Sequence, residues 1–502
     1  MLAEWQRANG GSMAGTKEGG RWARVRRLPV WFWLILLAAV LARAAAFSLY
    51  ATHHPDEAFQ YLEQAHRLVF DYGLVPWEFR FFIRSWLIPL LLAGPMALGE
   101  ALQPAGMLYL WLPRLFVVLV NLSAVVAAWF IGARSSPRHA IVAMVVAALW
   151  VESILFSVQT LSESLAVACF LPAAVLLKPG ASRGRIVAAG ALFALAGLLR
   201  YQFGIAIAIF AGLSAGRDWR LWRGLILGGL PVAAGGAMID LAMGLSPYEW
   251  IVNGYHEVVT KDRMTSVGGA IETWVYPQTA LVYWGAMAPL IVAMSFLAGR
   301  RYALLMIAAW ANIAVHQLIG HKEWRYLWFS VEILLILAAI GSVNIAGRFV
   351  AGRDRAVVAG LVAAWIAASA LLALRPPFAD WRTNGEASAL GAQAGRMTQV
   401  CGLSVPNYLN TEFGYHVVHR RIPLFLHRVD KAGRSSIGEA SAAFNAVMVP
   451  AGGEAPAGYD RKVDCGGRGV DRVCLYLRPG GCTANAASSR LDHQRLLLKT
   501  DL

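Results

Sequence analysis

The sequence predicts an all-α polytopic membrane protein with a small α/β extracytoplasmic domain at its C-terminal end. Three observations predict it: an apolar content of 58% across 502 residues, a mean hydropathy of +0.51, and a series of apolar segments that stops near residue 375. The formal net charge of +15 does not point to nucleic acid, because the basic residues come in short clusters between apolar segments. They read as topology signals facing anionic headgroups, so membrane lipids are expected partners and nucleic acid is not.

Residues 1–28 are expected to form a cytoplasmic tail. The stretch "KEGGRWARVRRLPVWFWLILLAAVLARAAAF" has the basic flank of a signal peptide, but its apolar part is long and shows no clear cleavage site, so it is read as an uncleaved first span. A spanning helix needs about 20 mainly apolar residues, fewer where the bilayer thins or the helix is broken. About eleven candidates lie near 30–50, 109–133, 139–156, 160–177, 185–199, 203–215, 223–243, 279–299, 302–319, 325–346 and 356–374. Alternate connections carry the basic residues: 21–27, 134–138, 178–185, 217–223, 300–301 and 348–355. With a cytoplasmic N-terminus all six fall on the cytoplasmic side. The membrane domain is then 29–375, and its first outer loop, 51–108, shares the opposite face with "GHKEWRY" and with the tail, 376–502.

In the first outer loop Ala58, Leu62, Ala65 and Val69 recur at helical spacing, with Gln60, Glu63, Gln64 and Arg67 between them. That pattern predicts an amphipathic helix lying at the interface. "WLIPLLLAGPMALG" is short and holds two prolines, so it is read as interfacial or re-entrant. In the tail, "YHVVHRRIPLFLH", "FNAVMVP" and "RVCLYLRP" look like strands between Gly, Pro and charged turns. Cys401, Cys465, Cys474 and Cys482 lie there, and an even cluster outside the cytoplasm suggests two disulfides with three possible pairings. Zinc is the rival reading, disfavoured because no pair has CxxC spacing. Cys169, within an apolar span, is read as packing.

Asp56 and Glu57 follow Pro55 at what reads as a helix start, where the helix dipole favours negative charge. That alone could account for them. A resemblance adds a second reading. "HPDEAFQYLEQAHRLVFDYGLVPWEFRFFIRSWLIPLLL" resembles the first-loop signature of glycosyltransferase family 22, and "HKEWRYLWF" is similar to that family's HKE-x-R-[FY] motif. The likeness covers residues 30–375, with "GYHVVHRRIPLFL" similar to a segment of bacterial relatives. What it implies is the GT-C architecture, a helical membrane bundle, and an α-mannosyltransferase using a polyprenyl-phosphate mannose donor and a lipid-linked or glycan acceptor. The enzyme would sit in a bacterial inner membrane with its active site periplasmic, and its reaction would invert the anomeric carbon.

Such a reaction needs a base on the acceptor hydroxyl and a grip on the departing phosphate. Asp56 and Glu57 are the candidate acids, and the sequence does not choose between them. His321, Lys322 and Arg325 are the candidate phosphate ligands, neighbours if the stretch is helical, with Arg84 a further one. His54, Gln60, Trp77, Glu78, Glu323 and Arg200 are candidate substrate contacts. Against these stand plainer readings: a solvated turn or charge network at 321–325, and snorkelling for Arg84 and Arg200. Trp77, Trp86 and Trp111 read equally as interfacial anchors, and Trp324 takes a slot where the family pattern has a polar or acidic residue. A monophosphate leaving group calls for no metal, and none of the Gly-rich stretches forms a phosphate-cradling loop, so no metal and no cofactor beyond the lipid-linked donor is expected. Another GT-C transferase with a different sugar or a protein acceptor is the alternative. A transporter is less favoured because no internal repeat is visible and the ionisable residues share one face, and a membrane scaffold with a disulfide-bonded sensor domain is the plainest option.

Overall fold

The computed structural model describes residues 28–178, 180–261, 274–349, 354–379, 381, 385–409, 413–429, 437–467 and 472–498. The basic tail 1–27, residues 262–273 and the centre of the basic link at 350–353 lie outside them. The chain divides into two compact units, one of residues 1–47, 117–242 and 257–379, the other of 48–116, 243–256 and 380–502. The second unit thus joins the segment read as the first outer loop, 51–108, to the chain from residue 380 onward.

The first unit is helical. Each of the eleven apolar segments contains a helix or a bent pair, from Val30–Ala46 to Asp354–Ala373. Among the described residues, four helices are long and apolar enough to cross a membrane, or up to six if each bent pair is one span. At its centre is Trp328–Phe349, with every residue from Trp328 through Val343 buried; it packs on Pro137–Leu149, Met287–Phe296, Ala303–Gln317 and Ser162–Leu176. A helix apolar on all sides has no solvent face, and this one is surrounded. The bent pairs have identifiable causes. Trp150 adopts an extended backbone between Pro137–Leu149 and Val151–Ser157, which meet at 58°. Gly285, at φ 57°, ends Val275–Trp284 before Met287–Phe296 leaves at 105°. Its ψ of −136° puts that backbone outside the region a side chain tolerates.

The second unit is built on a five-stranded sheet, β1 (Leu403–Pro406), β2 (Leu424–His427), β3 (Ala446–Pro450), β4 (Arg461–Gly466) and β5 (Val473–Leu477), in the order β2-β1-β3-β5-β4. β1 pairs parallel with β2 and β3, while β5 runs antiparallel to β3 and β4. Two disulfides staple it: Cys401–Cys482, and Cys465–Cys474 across the β4/β5 pair. Of the expected strands, "YHVV" is instead a helical turn, Tyr415–Val418, and β1 and β4 were not anticipated.

The first-loop helix also differs from expectation. Every residue from Asp56 to His66 is buried, including Gln60, Glu63, Gln64 and His66, so it is a core element and not an interfacial helix. Ala58, Phe59 and Leu74 share one apolar core with Leu390, Leu403, Leu424 and Leu475. Its polar side is satisfied within the protein: Gln60 and Gln64 bond inside the first loop, and Glu63 and His66 reach the tail. Glu63 accepts four N–H groups: from Leu74 (2.7 Å), Tyr415 (3.0 Å) and the backbone and Nδ1 of His416 (2.8 and 2.7 Å). "WLIPLLLAGPMALG" forms most of a single 16-residue helix, Leu87–Leu102, with Pro95 inside.

Candidate active site

The second unit carries the acidic residues. Pro55 opens the helix and Asp56 follows in its first turn. One Asp56 oxygen, Oδ1, accepts from Gln60 Nε2 at 2.7 Å, one turn on, and the other, Oδ2, lies 3.9 Å from Arg84 Nη2. His54 Nδ1 lies 3.2 Å from the Asp56 backbone nitrogen and 3.4 Å from Asp56 Oδ1. Gln60 Nε2 also donates to Glu78 Oε1 at 3.0 Å, so one amide bridges two carboxyls. Burial, and next the charge of Asp56, raise the Glu78 carboxyl above its ordinary range. Trp77, beside it, is half-buried and meets Phe81 edge-on.

Glu57 is built in differently. It is fully buried, its Oε1 accepts the backbone N–H of His53 (2.8 Å) and of His54 (3.3 Å), and its Oε2 lies 3.9 Å from Arg114 Nη2. Arg114 in turn donates to the carbonyls of Leu49 and Ala51 at 2.6 and 2.5 Å. Glu57 therefore fixes the turn that leads into the helix.

The first unit carries the "HKEWR" residues. They are not helical at 321–323; a 3₁₀ turn begins only at Trp324 and runs to Leu327. The helical spacing expected for this stretch is thus not what forms, and His321 and Arg325 meet instead on Glu323. Arg325 is buried and committed: Nε donates to Glu323 Oε2 at 2.5 Å and Nη1 lies 3.3 Å from Glu163 Oε1. Arg200, also buried, reaches the same Glu163 oxygen at 3.2 Å and lies 4.8 Å from the centre of the Tyr326 ring. Glu323 Oε1 accepts from His321 Nε2 (2.7 Å) and the Tyr326 hydroxyl (2.9 Å). Lys322 Nζ donates to the Ile319 carbonyl at 2.8 Å, using one of the three protons an ammonium offers.

Sequence reasoning missed Glu163. It is fully buried between two arginines, and an acid inside an apolar segment was the signal available. Glu152 carried the same signal: it accepts the indole N–H of Trp284 at 2.7 Å and that of Trp324. Trp324 thus anchors a buried acid, and Tyr283 stacks on it at 5.1 Å. The snorkelling reading of Arg200 fails, since its charge is buried against a carboxylate and an aromatic face.

Residues 31–234 match the model of the Alg9-like mannosyltransferase family. Bovine GPI alpha-1,2-mannosyltransferase 3 is 25% identical over 314 residues, covering 59% of this chain and 56% of its own, and the human protein of that name is 24% identical over 316 residues, covering 59% and 55%. The chain spans about half the length of these curated relatives. In Drosophila melanogaster, GPI mannosyltransferase 3 is 38% identical over a shorter stretch of 93 residues, 18% of this chain and 16% of that one. The crystal structure of ArnT from Cupriavidus metallidurans bound to undecaprenyl phosphate superposes with a TM-score of 0.53 at 14% identity, covering 91% of this chain and 99% of that one. Its apo state gives 0.54, also at 14%, covering 89% and 98%. These two share the fold. Over residues 31–234 the chain is thus similar to the Alg9-like mannosyltransferase family.

Proposed function

We propose that the protein is an integral-membrane α-mannosyltransferase that moves mannose from a polyprenyl-phosphate carrier to a hydroxyl of a lipid-linked or glycan acceptor. The reaction would take place on the periplasmic face of a bacterial inner membrane, with the N-terminus cytoplasmic and about eleven spans. The observation that carries this reading is the Asp56 carboxylate, within the family-matched segment, oriented by Gln60 and faced by Arg84. Undecaprenyl phosphate bound to ArnT, a protein of the same fold, supports a polyprenyl phosphate as the carrier.

In the proposed step Asp56 takes the proton of the acceptor hydroxyl as its oxygen attacks the anomeric carbon. The new C–O bond forms as the bond to phosphate breaks, and the polyprenyl phosphate leaves with the bonding pair. Attack opposite the leaving group converts a β-linked donor to an α-linked product. Lys322 is assigned to the donor phosphate, with Arg325, His321 and Arg84 as supporting cations, and His54, Trp77, Glu78, Glu323 and Arg200 as sugar contacts or supports for them. A monophosphate leaving group needs no metal, so chelation by EDTA is expected to leave the rate unchanged.

The test is transfer of labelled mannose from polyprenyl-phosphate mannose by membranes containing the protein. Asp56→Asn should lower transfer by about 10²–10⁴-fold with the protein still folded. Full activity in that variant would overturn the assignment of the base, and transfer of a different sugar would move the reading to another transferase of this fold.

A further inference from the structure

We propose that the protein holds one anionic phospholipid by its headgroup phosphate, in a cleft where the helices Arg183–Leu199 and Trp219–Ala242 begin. The cleft has a volume of about 260 Å³, and its lining includes the side chains of Arg183, Arg220 and Arg223. It lies wholly within the first unit and is independent of the proposed reaction.

The two helices come together through glycine. A Cβ on Gly228 would sit 1.9 Å from the Val187 carbonyl oxygen, and one on Gly224 would sit 2.5 Å from Ile186 Cγ2. Small residues four apart let helix backbones touch, as in small-xxx-small packing. The contacts pair Ile186 with Gly224 and Gly190 with Leu225, so the helices run parallel and both N-termini open at one end. Each N-terminus carries a partial positive charge. Arg183 is the first residue of one helix, and Arg220 and Arg223 lie in the first two turns of the other.

Three arginines at the starts of two helices therefore line one volume. Arg220 is braced by a bond from Nη2 to the Ala181 carbonyl at 3.1 Å, and Asp218, the acid next to it, caps the second helix by accepting the Arg220 amide at 2.9 Å. The excess of positive charge selects an anion, and guanidinium is the group best matched to phosphate oxygens.

The rest of the lining selects a lipid over a soluble ion. Ile186 and Leu227 form an apolar side of the cleft, and Leu227 leads to Leu230, which is exposed on the same helix. Trp219 is 65% exposed at the rim, with the amphipathic ring that settles at headgroup level. A phosphate diester at the arginines with its acyl chains along Leu227 and Leu230 uses both features. A zwitterionic headgroup would bring its own cation to an already cationic cleft, so phosphatidylglycerol is preferred over phosphatidylcholine.

The test uses the purified full-length protein in detergent, titrated with phosphatidylglycerol carrying brominated acyl chains. Retained lipid is counted by native mass spectrometry and its position is read from tryptophan quenching. One phosphatidylglycerol per chain should be retained, and the quenching should fall when Trp219→Phe removes the indole at the rim. The variant R183Q/R220Q/R223Q should bind it on the order of 100-fold more weakly, as three near-surface arginines contribute. It should elute and melt like the unmodified protein, because the helix contact is made by glycines. Equal loss in the control R300Q/R348Q/R355Q, no preference over phosphatidylcholine, or displacement by inorganic phosphate would each overturn the proposal.

Discussion

Asp56 turns its Oδ2 toward Arg84 at 3.9 Å, whereas both oxygens of its neighbour Glu57 serve the backbone and Arg114. Substitution should therefore separate the two acids by phenotype. Asp56→Asn is expected to lower turnover per folded molecule, and Glu57→Gln to lower the amount of folded protein, since removing one partner of a buried pair costs about 3–5 kcal/mol. Transfer normalised to folded protein, alongside a melting curve, distinguishes them. The same logic applies at 321–325. Lys322→Ala removes a cation whose only described bond is to a carbonyl, and should weaken donor use while the melting temperature holds. Arg325→Ala leaves Glu163 and Glu323 without a shared partner and should destabilise the first unit outright. A stable Arg325→Ala protein with raised donor KM would instead make Arg325 a direct phosphate ligand.

At the level of elements, the sequence was most legible where periodicity and burial agree. The eleven apolar segments are helical because an apolar stretch can satisfy its own backbone in lipid only that way. It was least legible where a polar pattern had more than one physical solution. Gln60, Glu63, Gln64 and Arg67 fit a wet helix face, but Gln60, Gln64 and Arg67 bond within the first loop, and Glu63 reaches His416, 353 residues on in sequence. The "HKEWR" spacing likewise suits a helix, but the chain breaks before it and Glu323 gathers three donors. A chain of histidines accompanies this first-loop helix. His66 Nδ1 donates to the Tyr72 carbonyl at 3.0 Å, so its Nε2 accepts from His419 Nδ1 at 3.2 Å. Burial lowers His66 to about 4, opposed by the Glu63 charge. Burial alone would raise Glu63, but the His416 hydrogen bond and charge overcome it and bring that carboxyl down to about 2. Both groups bind protons more weakly folded than unfolded. His66 contributes stability above about pH 6.5 that is lost as pH falls toward 4, and Glu63 adds a further loss below about 4.3. The melting temperature of the second unit should therefore decline in two stages on acidification. His66→Phe should flatten the upper stage; an unchanged upper stage would remove His66 as its source.

For the whole molecule, the consequence lies in how the second unit is assembled from separated parts of the chain. The motif-bearing segment 48–116 and the tail 380–502 share one core, with Ala58, Phe59 and Leu74 packed among Leu403, Leu424 and Leu475. Tyr109 adds a hydrogen bond to the His416 carbonyl at 2.9 Å, and its ring stacks on His419. A tail of this kind is not an appendage that can be removed while the upstream motifs continue to work. Truncation at residue 379 exposes the apolar face of the first-loop helix and deprives the buried Glu63 of three of its four N–H donors. Unsatisfied burial of one charged group costs several kcal/mol, comparable to the net stability of a domain. The truncated protein is expected to insert into membranes, because its apolar helices remain, and to lose mannose transfer although Asp56, Lys322 and Arg325 are all present. Glu63→Ala in the full-length chain should reproduce part of that loss, and Glu63→Gln less of it, since an amide oxygen still accepts two of the N–H groups. Membrane insertion with full transfer after truncation would show that the tail serves something other than holding Asp56 in place.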